Sequence, residues 1–525
     1  MLRFFREAVV VGRTLRFVCL TGVLVAGVGI VGVRTQPATT PLQARPDPYV
    51  GRPRVFVLTD IANEPDDQMS LVRLLVYAEG FDIEGLVATT STWMRTGTRV
   101  DVIRAVLDAY AEVQPRLATH ASGYPTADAL RAVVAAGQGG YGMAAVGDGR
   151  ATEGSARLLA AARRDDPRPL WVLAWGGTNT LAQALGDARA TLSTAELASV
   201  VDRLRVYAIS DQDDAGPWLR REFPTLRYIA SPSTQDGQEY AGATWTGISG
   251  DRFYRNAPGA DFTTFADAWV DANIRARGPL GRLYPYPCCI HEGDTPSFLG
   301  LIDNGLASAM SPTFGGWGGR YVWRQPRGES RPFWTQGGDA YPGNDDSRDT
   351  VTGAGGLVVT SDQATVWRWR EAFQHDFAAR MAWTVLPRAE ANHAPEVVVQ
   401  GHDGRGPVMV SATVGTPVRL EARGSDPDGD ALRYRWWYYA EAATGLPGMP
   451  VVRERRRPPV MAPTGGSPPA ARGDRPGPRV TLQGDTTPVV TITPVVAGVA
   501  HVILEVVDEG RPSLTRYRRI ILDVR

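Results

Sequence analysis

Four consecutive apolar residues, Val55, Phe56, Val57 and Leu58, run into an acidic turn, and no other feature of this chain restricts its fold as strongly. A short continuous apolar run is the pattern of a strand buried on both faces, as in a parallel sheet. Asp60 stands where that strand should stop. Asn63 and Pro65 break the chain into a turn, after which Met69, Leu71, Val72, Leu74, Leu75 and Val76 begin a helical period. Asp66 and Asp67 fall in the first turn of this helix. In an open α/β sheet, ligands bind outside the carboxyl ends of the strands, and Asp60, Glu64, Asp66 and Asp67 converge on that edge. Helix capping accounts for one or two of these carboxylates. A hard cation accounts for more of them, since Ca²⁺ accepts roughly 6–8 oxygen ligands in irregular geometry.

The same alternation continues to about residue 385. Strands are predicted at 83–90, 170–175 and 204–210, and helical patterns run from Val100 to Ala111 and from Leu181 to Leu185. Such alternation predicts an α/β fold: right-handed βαβ units building a mainly parallel sheet with flanking helices. Gly176-Gly-Thr-Asn turns the third strand into its helix, and the fourth runs straight into a second acidic loop, Asp211-Gln-Asp-Asp. A third acidic group, His291-Glu-Gly-Asp, precedes another apolar helical run. The loop Phe314-Gly-Gly-Trp-Gly-Gly-Arg-Tyr reads either as a tight surface turn or as a backbone cradle for a ligand on which Trp317 stacks. Trp367, Phe373, Phe377 and Met381 recur at roughly helical spacing and predict a core-facing helix over 367–383.

At 525 residues the chain is long enough for two or three domains. Its 56 basic and 56 acidic residues cancel, which argues against a general nucleic-acid or anionic-membrane surface. All the basic residues are arginine, so a Schiff-base lysine and a P-loop lysine are excluded. Residues 1–35 carry Arg3, Arg6, Arg13 and Arg16 ahead of an uncharged apolar stretch from Phe17 to Val33. That order predicts a signal peptide, or a membrane anchor if uncleaved, and a periplasmic or extracellular protein. Residues 36–52 read as a linker. Cys288 and Cys289 are adjacent, a spacing that resists disulfide geometry, and are expected as buried thiols. The six histidines show no zinc-ligand spacing.

Composition changes at Asn392. Beyond it, short alternating strands at 408–414, 417–422, 432–439, 489–493, 501–507 and 517–524 predict an antiparallel β-sandwich over 392–525. An arginine- and proline-rich insertion at 449–479 has no periodicity and reads as a disordered loop. Ser425-Asp-Pro-Asp-Gly-Asp is either a Ca²⁺ loop using Asp426, Asp428 and Asp430 or a plain turn between strands.

Taken together, the acidic loop after the first strand, Gly-Gly-Thr-Asn after a middle strand and a late Asp before a helix resemble the nucleoside hydrolases. More narrowly, Asp60…Glu64-Pro-Asp-Asp, Trp175-Gly-Gly-Thr-Asn, Ile209-Ser-Asp-Gln-Asp, Glu292-Gly-Asp-Thr-Pro-Ser, Gly315-Gly-Trp-Gly-Gly-Arg and Ser425-Asp-Pro-Asp-Gly-Asp resemble a bacterial family labelled cellulose-binding. That family joins a nucleoside hydrolase-like domain, here 53–388, to an immunoglobulin- or cadherin-like sandwich. The resemblance implies a Ca²⁺ held by Asp60, Asp67, the Thr178 carbonyl and Asp294, with Asp60 also the base for an attacking water. It implies that Asp66 accepts from sugar hydroxyls and places His291 near the leaving group. Asn179 and Asp211 are further substrate-binding candidates, and Trp93, Trp317 and Trp334 would be exposed stacking platforms. The turn departs from the hydrolase motif Asp-x-Asp-x-Gly-x-Asp-Asp by an insertion, and Ser91-Thr-Trp-Met replaces the Gly-Asn that contacts the sugar. The implied activity is hydrolysis of N-glycosyl, riboside-like bonds in a small nucleoside-like or carbohydrate substrate. The alternative is a non-catalytic carbohydrate-binding protein whose partner is a polysaccharide.

Overall fold

A computed structural model describes residues 44–231, 243–249, 259–326, 328–336, 347–443 and 479–525. The export segment, the first part of the linker and the 449–478 stretch of the insertion lie outside these residues.

The sheet expected from the apolar runs is present. Its strands are β1 (Arg54–Thr59), β2 (Asp82–Ala88), β3 (Val134–Ala136), β4 (Leu170–Ala174), β5 (Leu204–Ser210), β6 (Arg227–Ser231), β7 (Val322–Arg324) and β8 (Phe333–Thr335). They stand in the order β3-β2-β1-β4-β5-β6-β8-β7, parallel except where β7 returns along β8. Every residue of β1 and of β4 is buried, as two-sided coverage by helices requires. The order reverses on either side of β1, whose neighbours are β2 and β4. A crevice opens at such a switch point, beyond the carboxyl ends of the strands. Helix α1 (Asp66–Val76) leaves the end of β1, and α2 (Val100–His120) follows β2.

The predicted linker is not a free spacer from Ala44 on. Ala44 is buried, and Asp47 pairs through both carboxylate oxygens with Arg205 at 2.8 Å. A β-hairpin, β9 (Asp349–Thr352) with β10 (Val358–Ser361), precedes the C-terminal domain. That domain has two four-stranded sheets. One contains β11 (Glu396–Val399), β13 (Val418–Ser425), β16 (Val489–Pro494) and β15 (Val480–Gln483), in that order. The other contains β12 (Val408–Ala412), β18 (Thr515–Val524), β17 (Gly498–Asp508) and β14 (Leu432–Tyr438). Pairing is antiparallel apart from β12 with β18.

The domains do not merely touch. One hydrophobic cluster runs from Val55 and Leu71 through Trp317 and Phe373 to Tyr439, Ile503 and Tyr517 of the sandwich. Arg519, fully buried, donates to the carbonyls of Leu306 (2.5 Å) and Gly315 (2.9 Å). Asp349, also fully buried, accepts from Arg320 (2.8 Å), Arg368 (2.8 Å) and the Tyr439 hydroxyl (2.6 Å). At Gly305 the backbone has φ +95°, and a Cβ there would lie 1.9 Å from the Tyr517 carbonyl, so only glycine admits this approach. The Ser425–Asp430 loop takes the turn form. Asp426 accepts the backbone N–H of Asp428 (2.9 Å) and Asp430 (3.1 Å), while Asp428 engages His393 across the boundary.

Candidate metal and substrate site

The acidic turn expected after β1 closes through Asn63 N–H to the Asp60 carbonyl (3.1 Å), with Ala62 in the left-handed region at φ +80°. α1 then starts at Asp66, so its first turn carries both Asp66 and Asp67 into the crevice. The Thr59 hydroxyl donates to Asp67 and accepts from Ile61 N–H (3.1 Å), which ties the strand end to the helix start. From across the crevice comes Asp294, ahead of the helical turn Pro296–Leu299. Oxygens of Asp66, Asp67 and Asp294 all lie within 4.8 Å of one another, and the three residues are buried. Asp60 and Glu64 line the same cleft, with Trp93, Trp175, Ser210, Gln212, Trp245, Cys289 and Gly293. The cavity they enclose is about 30 Å³, room for an ion or a water or two and well below the usual small-molecule site of about 300–1,000 Å³.

These carboxyls are held in an environment that resists their charge. Burial pushes Asp60 up to about 6 against the pull of a Ser91 hydrogen bond. Burial and the Asp60 charge push Asp66 to about 7, and burial with Asp66 and Asp60 pushes Glu64 to about 8. Asp67 and Asp294 are raised well above the ordinary range, first by burial and then by the neighbouring carboxylates. Asp66 Oδ1 and Asp294 Oδ2 are buried with no hydrogen-bond partner. Unpaired buried anions are costly unless neutralised, and a set of hard oxygen donors suits Ca²⁺. The residues therefore fit such an ion.

Two of the expected site residues stand differently from the sequence expectation. Asp66, predicted as a sugar acceptor, belongs to the tight triad, and Asp60 stands beside it. The Thr178 carbonyl accepts Ala182 N–H (3.0 Å) as the first helical acceptor of the segment Asn179–Thr191, and Thr178 does not line the cleft.

Five other sequence-predicted residues do not line the cleft. Trp317 is 1 % exposed, packed edge-on against Phe373 and Tyr517 at the domain boundary; its loop is neither a surface turn nor a ligand cradle. Asp211 is turned away into a two-point ion pair with buried Arg220, both contacts 2.8 Å. Asn179 spends its side chain on Thr89, Thr90 and the Gly140 carbonyl. His291 is buried with its ring against Phe265, and a left-handed turn at Glu292 (φ +56°) separates it from Asp294. Trp334, expected to be exposed, is 2 % exposed and packs on Trp323. Trp93 alone of the predicted platforms is open, at 45 %. The cysteines are unpaired, but Cys288 is exposed and Cys289 half-buried at the cleft, not a pair of core thiols.

Sequence reasoning missed Asp213. It sits two residues past Asp211, 3 % exposed, and accepts from the Thr178 hydroxyl (3.1 Å) and the N–H groups of Asn179 and Ala215 (both 3.0 Å). Burial raises it to about 6 despite those donors. Gly177 is required beside it, since a Cβ there would fall 2.4 Å from its carboxylate. Trp175, Trp245 and Gln212 were missed as well. Trp175 and Gln212 follow strand ends, which was the available signal.

The fold agrees with comparisons to known proteins. Residues 54–321 match the family model described as cellulose-binding Sde182, nucleoside hydrolase-like domain. This chain belongs to that family. Residues 417–524 match the model of the cellulose-binding protein Sde0182, C-terminal domain. A solved structure, a nucleoside hydrolase-related hypothetical protein from Saccharophagus degradans associated with carbohydrate metabolism, is 32 % identical, with a TM-score of 0.71. The match covers 90 % of this chain and 100 % of that one. The type III effector XopQ, solved with adenosine diphosphate ribose, is 14 % identical over 65 % of this chain and 96 % of its own. Its TM-score of 0.29 is too low to carry an argument. No curated protein matches the chain. This chain thus has a nucleoside hydrolase-like domain with a C-terminal antiparallel sandwich, under a cellulose-binding family label.

Proposed function

We propose that this Sde182-family protein is an exported, Ca²⁺-dependent hydrolase of N-glycosyl bonds in a small riboside-like substrate. The observation that carries the reading is the buried triad Asp66, Asp67 and Asp294 with orphaned carboxylate oxygens, beside Asp60 at the switch point of the sheet. A cation at these oxygens would supply Lewis acidity and a template for vicinal hydroxyls. Asp60, raised to about 6 by burial, takes a proton from the attacking water at neutral pH. A Ser91 hydrogen bond favours the charged form of that carboxylate. Trp93, at the open mouth, covers one face of the aglycone or sugar and limits water entry. Direct attack by water implies inversion at the anomeric carbon. Leaving-group protonation falls to a group other than His291, whose ring lies outside the cleft.

The family label favours a second reading, a carbohydrate-binding protein without turnover. The burial of Trp317 and Trp334, which removes two of the three expected stacking platforms, weighs against an extended glucan there. The discriminating experiment assays wild type and Asp60→Asn on a panel of nucleosides and aryl ribosides with calcium, and in parallel on insoluble cellulose. Base release by wild type, reduced about a hundredfold or more in Asp60→Asn, supports the hydrolase. A wild type inert on the whole panel yet retained by cellulose overturns it.

A further inference from the structure

Beneath the carboxylate triad lies a fully buried ion pair that touches neither the cleft nor solvent. Arg73 Nε stands 2.7 Å from Glu292 Oε2, and both side chains are 0 % exposed. Arg73 lies six residues beyond Asp67 on α1; Glu292 lies two residues before Asp294 on the opposite wall. The Tyr284 hydroxyl donates to the other Glu292 oxygen (2.6 Å), and the Arg73 guanidinium sits 4.0 Å over the Phe377 ring and bonds Gln374. Glu292 also has φ +56°. For a side chain of this size the left-handed region is unfavourable and persists only when the surroundings over-determine it. Here that conformation lets Gly293 N–H donate to the Asp66 carboxylate and brings Asp294 into the triad. A second tie runs parallel, from the Thr295 hydroxyl to Ser70 Oγ on α1 (3.0 Å).

The geometry points to Arg73 and Glu292 as positioning residues whose ion pair sets Asp294 in register with Asp66 and Asp67, and thereby sets the cation affinity of the cleft. This inference rests on the calcium reading above. A buried ion pair contributes little net stability compared with apolar residues of similar volume, so the pair is better explained by what it aligns. Partners of this kind, one step removed from the ligands, control metal affinity by about 10–100-fold.

The test is calcium titration calorimetry on the EDTA-treated full chain. Arg73→Met/Glu292→Met removes both charges together, so no orphan ion is left to unfold the protein. Calcium affinity should fall about 10–100-fold, while the urea midpoint in EDTA stays close to wild type. Glu292→Gln keeps the shape but leaves the buried Arg73 charge without this counterion, so it should lower both the urea midpoint and the calcium affinity. If the double variant does not fold, Tyr284→Phe replaces it, with a smaller affinity loss expected in the same direction. A folded double variant, or a folded Tyr284→Phe, that binds calcium as tightly as wild type overturns the positioning role and leaves the calcium reading intact. Wild type that binds no calcium overturns both.

Discussion

Replacing Asp349 with Asn tests the physics of the domain boundary most directly. The Asp349 carboxylate is fully buried and faces two guanidiniums, Arg320 and Arg368, whose side chains are 1 % and 13 % exposed. Burial would raise this carboxyl, but the two arginines and the Tyr439 hydroxyl outweigh it and hold it below the ordinary carboxylate range. Asp349→Asn keeps the shape and loses the charge, leaving Glu441 as the carboxylate that still acts on both guanidiniums. Breaking a buried pair in this way costs about 3–5 kcal/mol. The sign with pH follows from the depressed value. The carboxylate's contribution is complete above the unfolded carboxyl range near 4 and is lost as pH falls through the lower folded value. Urea unfolding followed by tryptophan fluorescence at pH 7 should show a large drop in midpoint for Asp349→Asn. Between pH 4 and pH 2 wild type should lose stability more steeply than the variant. A pH 7 loss under about 1 kcal/mol, or identical acid limbs, would refute the argument.

Three further outcomes are expected. Calcium at a hundred times its dissociation constant should stabilise wild type by about 2.7 kcal/mol, and Asp67→Ala should abolish that gain; equal stabilisation of the variant would remove Asp67 from the site. Trp317→Ala should cost about 3–5 kcal/mol of stability because Trp317 is a boundary core residue, whereas Trp93→Ala should leave stability unchanged and weaken ligand affinity; the reverse pattern would contradict the packing. Limited proteolysis should spare the segment around 392, since Trp383 Nε1 donates to the Asn392 carbonyl (2.9 Å) and His393 bonds Asp428; an early cut there would show the boundary to be open.

What could be read from the residues followed from period and position. The apolar run at 55–58 had to be a two-sided strand, and a strand end with an acidic helix start places Asp60, Asp66 and Asp67 at one edge. Asp294 was assigned to that edge through the resemblance to the nucleoside hydrolases, since no strand among the described residues leads into it. Orientation within a loop was not legible. Asp211 and Asp213 share a loop and a residue type, and only the position of Arg220 decides that Asp211 turns away while Asp213 braces the Gly176-Gly-Thr-Asn turn. The glycine-aromatic loop at 314–321 has the composition of a ligand cradle, but its glycines admit another domain, as at Gly315, where a Cβ would lie 2.3 Å from the Tyr439 hydroxyl. Docking between domains leaves no periodic mark, so Trp317 read as exposed, whereas Trp334 is buried within the first domain's own sheet, on β8 against Trp323. The strands Glu396–Val399 and Val480–Gln483 were too short, at four residues each, to stand out.

The close approach around Gly305 and Gly318 has a practical corollary for anyone recombining these parts. A Cβ on Gly318, next to Trp317, would sit 2.5 Å from the carbonyl of Pro296, the residue that opens the helical turn behind Asp294. The last strand of the chain is therefore a back wall of the acidic cleft, at two removes. A truncation ending near residue 388 would not release a smaller working unit; it would strip the wall and leave Trp317, Trp369 and the Asp349 cluster facing water. Grafting works only if the donor piece includes the whole span to residue 524. Swapping the sandwich for a different module would require redesigning the socket first.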